Sequence, residues 1–333
     1  MSDEGRPIVG DCATESRRVS DYIDYFLKPL ATKHDTYLKD TYDFIKKIKN
    51  RKIDRNCLLV TGDITALYTN MNISRTIAVV KRAFKSNPHP KRPDKELIDL
   101  LEYIMNNNDF RFNEEIFLQI FGTAMGKSFA PNLANLYLID FDRQAINGFR
   151  IKPSLFYRFL DDIFFLWPGT LAELKEFESF LNSIIPNIKV TLTVSNTEVN
   201  FLDTTIFKHT HNDDTTLQSK VYFKPTDTHQ LLHNSSFHPP HTTSGILKSQ
   251  ILRFKRLSSF KSDFDNACGI LFRALSKRGY NKRLLRKTKC DIWFNHVKKQ
   301  KTNNNPLLPI VIPYSLISTH LIKEWKKDNK QFT

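Results

Sequence analysis

The chain has 333 residues, 40% of them hydrophobic and 12% aromatic, enough to bury a sizeable core in two or three lobes. Its 50 Lys and Arg outnumber 35 Asp and Glu, giving a net charge of +15 and a pI near 9.5, a balance that favours polyanionic partners, nucleic acid first. The N-terminus MSDEGRPIVG carries no basic-then-apolar leader and no apolar run approaches a membrane span, which argues against secretion and membrane insertion; Cys12, Cys57, Cys268 and Cys290 form no CxxC pair, so neither a zinc ribbon nor a disulfide framework is indicated and a reducing compartment fits best.

In chain order, helical periodicity spans 19–31 and 36–49, with Asp21 and Asp35 near the starts as cap candidates. CLLVTGDI, 57–64, reads as a short buried strand ending in an acidic residue. Helices are expected at 73–86 and 94–107, a strand pair around 110–121, and one amphipathic helix over 130–147 after the loop GTAMGKSFAP. FYRFLDDIFFLW, 156–167, reads as a hairpin with two adjacent carboxylates at its tip. A helix at 170–184 precedes strands at 188–195, 199–207 and near 217–223. From 242 the chain turns helical and basic, and KKQKTNNNP, 298–306, is a linker candidate. Strands and helices in runs rather than strict alternation indicate α+β.

An ionised carboxylate in apolar surroundings is costly without a partner, and two side by side repel. Asp161 and Asp162 therefore sit either in an ordinary polar turn, which Asp tolerates well, or against a cation. Asp63 ends another apolar strand. Adjacent strands would bring it beside the pair, and three clustered carboxylates suit hard divalent cations such as Mg²⁺. Two such ions would serve phosphoryl transfer.

Five stretches resemble reverse transcriptases, and within them the Penelope-like retroelement group: GRPIVGDCATESRRVSDYIDYFLKPL, VTGDITALYTN, GTAMGKSFAPNLANLYL, YRFLDDIFFLW, and NFLDTTIF together with residues 224–259. The resemblance runs from about residue 6 to about 325. It implies a right-hand polymerase fold: partial fingers and connecting helices in 1–56, a palm with an antiparallel sheet in 57–223, a basic helical thumb in 224–297, and a linker and C-terminal segment in 298–333.

Carried over by position, the resemblance makes Asp63, Asp161 and Asp162 catalytic. These three, with the backbone carbonyl of Ile64, would hold two Mg²⁺ or Mn²⁺ ions. Tyr68 would lie under the sugar of the incoming nucleotide and exclude ribonucleotides. Met125 and Gly126 would meet the nascent base pair, and Arg6 the triphosphate. Lys248, Arg253, Lys255, Arg256, Lys277 and Arg278, with Phe254, Phe260, Phe264 and Tyr280 interleaved, would grip nucleic-acid phosphates; a merely solvated basic face is the plainer reading. HQLLHNSSFHPPH, 229–241, has zinc-like spacing, but no cysteine lies near and two prolines interrupt it, so a phosphate contact suits it better.

The implied activity is RNA-directed DNA synthesis for a retrotransposon, with RNA template, DNA primer and dNTPs as partners. KRLLRKTK, 282–289, suits nuclear import, so the expected location is intracellular and nuclear. Two departures stand out. The family's fingers begin well upstream of an Arg-Pro-Ile like that at 6–8, and nothing resembles the GIY-YIG endonuclease that members commonly carry. A fragment, a mis-started gene model and a decayed copy stay open, and a non-catalytic nucleic-acid-binding remnant is the alternative function.

Overall fold

The computed structural model of the protein describes residues 8–12, 14–294 and 314–328, and the chain parts into two units, Met1–Tyr222 and Phe223–Thr333. The first unit opens with α1 (Arg17–Ala31), which buries Ile23, Leu27, Leu30 and Ala31. The helix expected over 36–49 is shorter. In α2 (Thr41–Ile48) the cap is Asp40, whose Oδ1 accepts from the Asp43 backbone N–H at 2.8 Å, so the helix starts there. Asp35 lies outside α2, and Asp21 lies within α1. Residues 36–38 run alongside Arg158 instead: the Arg158 N–H donates to the Thr36 carbonyl at 2.8 Å, and the Leu38 N–H to the Arg158 carbonyl at 3.1 Å.

The chain continues through β1 (Leu58–Thr65), α3 (Leu67–Asn70), α4 (Ile73–Ser86), α5 (Asp94–Asn106) and the hairpin β2 (Asp109–Phe112)–β3 (Glu115–Leu118). The single helix expected over 130–147 is two, α6 (Ala130–Tyr137) and α7 (Ile139–Asn147), parted at Leu138 with φ −92 and ψ 2. Neither Gly nor Pro marks that break; Leu138 is fully buried, so packing sets it rather than propensity. After β4 (Leu155–Phe159), β5 (Asp162–Trp167) and α8 (Leu171–Ile184) come β6 (Lys189–Ser195), β7 (Glu198–Phe201), β8 (Thr204–His211) and β9 (Asp214–Val221). The strand expected over 199–207 is thus a hairpin. Its turn, Phe201-Leu202-Asp203, repeats the Phe159-Leu160-Asp161 turn between β4 and β5. Leucine takes the left-handed conformation in both, with φ 52 at Leu202 and φ 53 at Leu160.

β4, β5, β1 and β6 form one antiparallel sheet in that order. The apolar run of β5 is explained by burial on both faces. Ile163, Phe165 and Trp167 join Val60, Ile64 and Val190 in the core shared with the residues of α1, α4, α6 and α8. Phe164 and Leu166 face the other way, with Leu59, Phe44 of α2 and Phe201 of β7. Burying each such side chain contributes roughly 1.5–3 kcal/mol. Gly62 has the thinnest margin on β1: a Cβ there would meet Leu192 Cδ2 at 3.0 Å and Val190 Cγ1 at 3.3 Å.

The second unit contains α9 (Pro240–Leu257), α10 (Lys261–Lys277), α11 (Lys282–Trp293) and α12 (Leu316–Asp328). α10 and α11 meet at a short turn. Gly279 takes φ 79, a conformation that suits glycine, and the N–H of Tyr280 closes α10 by donating to the Leu275 carbonyl at 3.1 Å. The Asn281 side chain then caps α11, accepting from the N–H groups of Arg283 and Leu284.

Candidate active site

The sheet register brings the three sequence-predicted aspartates to one place. Asp63 of β1 lies directly across from Asp162 of β5. Asp161 occupies the adjoining turn, and the Ile64 N–H donates to its carbonyl at 3.0 Å, which ties that turn to β1. Residues directly opposite on antiparallel strands share a face, so the Asp63 and Asp162 side chains project to the same side. Asp63 is exposed, and Asp161 and Asp162 are half-buried. The donor set is all carboxylate oxygen, the chemistry that suits Mg²⁺ or Mn²⁺. The backbone gathers these groups but the side chains as they stand do not converge: among the described residues no three His, Cys, Asp or Glu form a group that could hold a metal ion. Ile64 pairs with Val190 of β6, and its side chain is buried.

Beneath the turn lies a set of polar groups that sequence reading missed. Arg158 of β4 is only 3% exposed, and so is Asp142 of α7. The guanidinium holds Asp142 with two hydrogen bonds of 2.8 Å, from Nε to Oδ1 and from Nη2 to Oδ2. Its Nη1 donates to Asn135 Oδ1 at 2.9 Å and to the Leu160 carbonyl at 3.0 Å. Thr36 Oγ1 completes the set by donating to Asp142 Oδ2 at 2.7 Å. A planar fork with five donors suits such a pairing. The carbonyls of Leu160 and Asp161 are therefore held in turn by Arg158 and by Ile64. These contacts offset the left-handed backbone of Leu160, which costs on the order of 1–3 kcal/mol for a non-glycine residue. The sequence did carry a signal: Arg158 sits two residues after Phe156, on a strand position whose alternation assigns it to the core side.

Tyr68 of α3 packs against the main core within electrostatic reach of Asp161. Burial, and next to it the Asp161 carboxylate, push its phenol up to about 12, so it stays protonated. The loop before α6 is seated against the same helix, with the Thr123 N–H donating to the Tyr68 carbonyl at 2.8 Å. Met125 and Gly126 follow, both half-buried. A Cβ on Gly126 would lie 1.8 Å from the Val9 carbonyl oxygen, so the described part of the N-terminal segment rests on this glycine. Lys127 reinforces the contact, its Nζ donating to Asp11 Oδ1 at 2.9 Å and to Ser16 Oγ at 2.6 Å. Residues of this segment and loop, with those of β2, border a cavity of about 1520 Å³, but none of the three aspartates lines it. Arg6 lies outside the described residues. Gly126→Ala is expected to dislodge residues 8–11 and to cost about 1–3 kcal/mol. Limited proteolysis near the N-terminus, together with chemical denaturation, measures both effects.

This fold has counterparts among solved structures. A telomerase from Candida albicans, solved in complex with a fragment of telomeric RNA, matches with a TM-score of 0.52 at 13% identity, over 83% of this chain and 47% of the other. The RNA-dependent RNA polymerase of a human picobirnavirus matches with a TM-score of 0.50 at 11% identity, over 84% and 52%. The fold is polymerase-like. The chain spans about half the length of these two structures. No curated protein matches the sequence. A family profile described as an animal helix-turn-helix domain matches residues 230–289, the stretch that contains the α10–α11 turn.

The six basic residues singled out in the second unit differ in their surroundings. Lys248, Arg256 and Lys277 are exposed, whereas Arg253 and Arg278 are half-buried. Lys255 has a role inside the unit: its Nζ donates to the carbonyls of Ile292 at 2.8 Å and Trp293 at 3.0 Å, closing the last turn of α11. The interleaved aromatics are mostly core. Phe254, Phe264 and Tyr280 are 1%, 0% and 4% exposed, which withdraws them from any nucleic acid: helical periodicity turns the two Phe inward, and Tyr280 is buried in the α10–α11 turn, its hydroxyl donating to the Leu232 carbonyl at 3.1 Å. The four histidines of 229–241 form no metal-holding group; the His229 Nδ1 lies 3.1 Å from Asp227 Oδ2, and the His233 Nδ1 lies 2.7 Å from Ser235 Oγ. Among the described residues no helix is long and apolar enough to cross a membrane.

Proposed function

We propose that the chain is an RNA-directed DNA polymerase of a retrotransposon, related to the Penelope-like group, which extends a DNA primer on an RNA template. One observation carries the reading: Asp63 lies opposite Asp162, with Asp161 in the adjoining turn, on a polymerase-like fold. The sheet β4-β5-β1-β6 with its covering helices would be the palm, and the basic helices α9–α11 the thumb. The telomerase neighbour was solved with RNA, which favours an RNA partner for this chain as well. The reading also favours a nuclear site of action.

In this mechanism Asp63, Asp161 and Asp162 would hold two divalent ions. When bound, these supply the positive charge that activates the primer 3′-hydroxyl and neutralises the departing pyrophosphate. The protein's own part is positioning. Tyr68, neutral and wedged beside Asp161, would close the space next to the nucleotide's 2′-carbon, so that deoxyribose fits and ribose does not. Met125 and Gly126 would set the base pair, Arg6 the triphosphate, and Lys248, Arg253, Arg256, Lys277 and Arg278 the template–primer phosphates. Tyr68→Ala is expected to lower discrimination against ribonucleotides by about 10–100-fold, since one lost steric contact is worth that much. Competing rNTP and dNTP incorporation measures it.

The test of the function itself is extension of a DNA primer on RNA by the purified chain with Mg²⁺ or Mn²⁺. Metal-dependent extension supports the polymerase. Absence of extension, with salt-sensitive duplex binding retained, would favour a second reading, a nucleic-acid-binding protein without catalysis. One observation favours that reading: the carboxylate side chains do not converge as they stand.

A further inference from the structure

The second unit holds a cavity of about 990 Å³ beside the α10–α11 turn. Arg273, Lys277 and Arg278 border it from α10 and its C-terminal end, and Lys282 and Arg286 from α11. Arg273 and Lys277 are one helical turn apart, as are Lys282 and Arg286, so each pair shares a helix face. His229 and His233 border the cavity from the preceding segment. Among the described residues no Asp or Glu lines it and none of the five cations takes part in an ion pair. The contrast within the same unit is sharp. Lys289 is paired with Asp265 at 2.8 Å, and Lys255 closes carbonyls. Five like charges around one space repel one another, and only an anionic occupant would reverse the sign of that cost.

We infer that this cleft is a phosphate seat for the sugar–phosphate backbone of nucleic acid. It would be the main electrostatic contact of the second unit and would act without reading sequence. The inference rests on the nucleic-acid partner proposed above and names the groups that bind it. Two features favour backbone over a free nucleotide. Tyr and Trp are absent from the described lining and its one Phe, Phe272, is half-buried on α10, so stacking on a base would fall to the imidazoles of His229 and His233 alone. The uncharged polar groups are few, Thr228, Gln230 and Ser276, which leaves charge as the means of recognition. The N-terminus of α11 adds its dipole to the same space.

The experiment is fluorescence anisotropy with a labelled RNA–DNA duplex and the full chain, titrated over a range of salt without dNTPs or divalent ions. Each lost phosphate contact lowers the slope of log K against log salt by about 0.9. The variant Arg273→Gln, Lys277→Gln, Lys282→Gln, Arg286→Gln is therefore expected to lower the slope by about 3.6 and binding at low salt by on the order of 10²-fold or more. Glutamine is a good helix former and these positions are exposed, so circular dichroism should show the fold intact. An α9 variant, Lys248→Gln with Arg256→Gln, is the reference and should lose less. A folded cleft variant with an unchanged slope overturns the inference. So would calorimetric binding of inorganic tripolyphosphate at the cleft with duplex binding unaffected, which would assign it to free polyphosphate. Primer extension is measured separately. A slope that falls in a chain incapable of extension leaves the seat standing and removes only the polymerase.

Discussion

Primer extension on an RNA template is expected to fall at least about 10³-fold in the Asp161→Asn chain and by a similar factor in Asp63→Asn, while neither variant loses stability. The activity loss follows from the donor set. A carboxylate supplies two anionic oxygens to a divalent ion and an amide only one neutral oxygen, so the ion is held less tightly and less charge reaches the reacting phosphate. The stability argument runs in the opposite direction. Asp63 stands directly across from Asp162, and like charges in cross-strand positions destabilise a sheet by roughly 0.2–1 kcal/mol. Removing one charge at Asp63 should therefore raise the midpoint of chemical denaturation slightly in metal-free buffer. Asparagine also tolerates the turn that Asp161 occupies. Single-turnover extension with saturating Mn²⁺, set beside urea denaturation of the same proteins, separates the two effects. Wild-type extension by Asp161→Asn would end the polymerase reading, and a large loss of stability would show that the aspartates hold the hairpin rather than a metal.

The carboxylates were legible in the sequence because their flanks contradict them. Acidic residues at the ends of apolar runs such as LLVTGD and FYRFLDD cannot be core, and the hairpin that separates Phe159 from Asp162 leaves them one location. The strands were legible for the same reason, since β5 is apolar on both faces. What failed was local. The start of α2 was misplaced because residues 36–38 are claimed by the backbone of Arg158, a partner far along the chain that no window of periodicity contains. The break at Leu138 and the hairpin at Leu202 were missed because turn signals rest on Gly, Pro and Asn, and leucine there gives none. Phe254, Phe264 and Tyr280 look like a nucleic-acid surface when counted among Lys and Arg, yet all three are buried, the two Phe by their helical phase and Tyr280 by its place in the α10–α11 turn.

Arg158 carries the second large effect. Arg158→Met alone would leave Asp142, 3% exposed, without its cation and keep only the Thr36 hydroxyl as donor. Breaking a buried pair by removing one partner costs about 3–5 kcal/mol. Replacing both partners, Arg158→Met with Asp142→Leu, removes the stranded charge and should recover most of that loss, because apolar side chains of similar volume are often as stable as the pair they replace. Extension should not recover with it. The Leu160 carbonyl would still lack the Nη1 donor, so the Asp161 turn would lose one of the ties that position it beside the Ile64 N–H. The double variant is thus expected to denature near the wild-type midpoint, extend primers at least about tenfold more slowly, and need more Mn²⁺ for half-maximal rate. Wild-type extension by a stable double variant would reduce Arg158 to a fold-holding residue. Extension that falls with an unchanged Mn²⁺ requirement would place its effect outside the carboxylate turn.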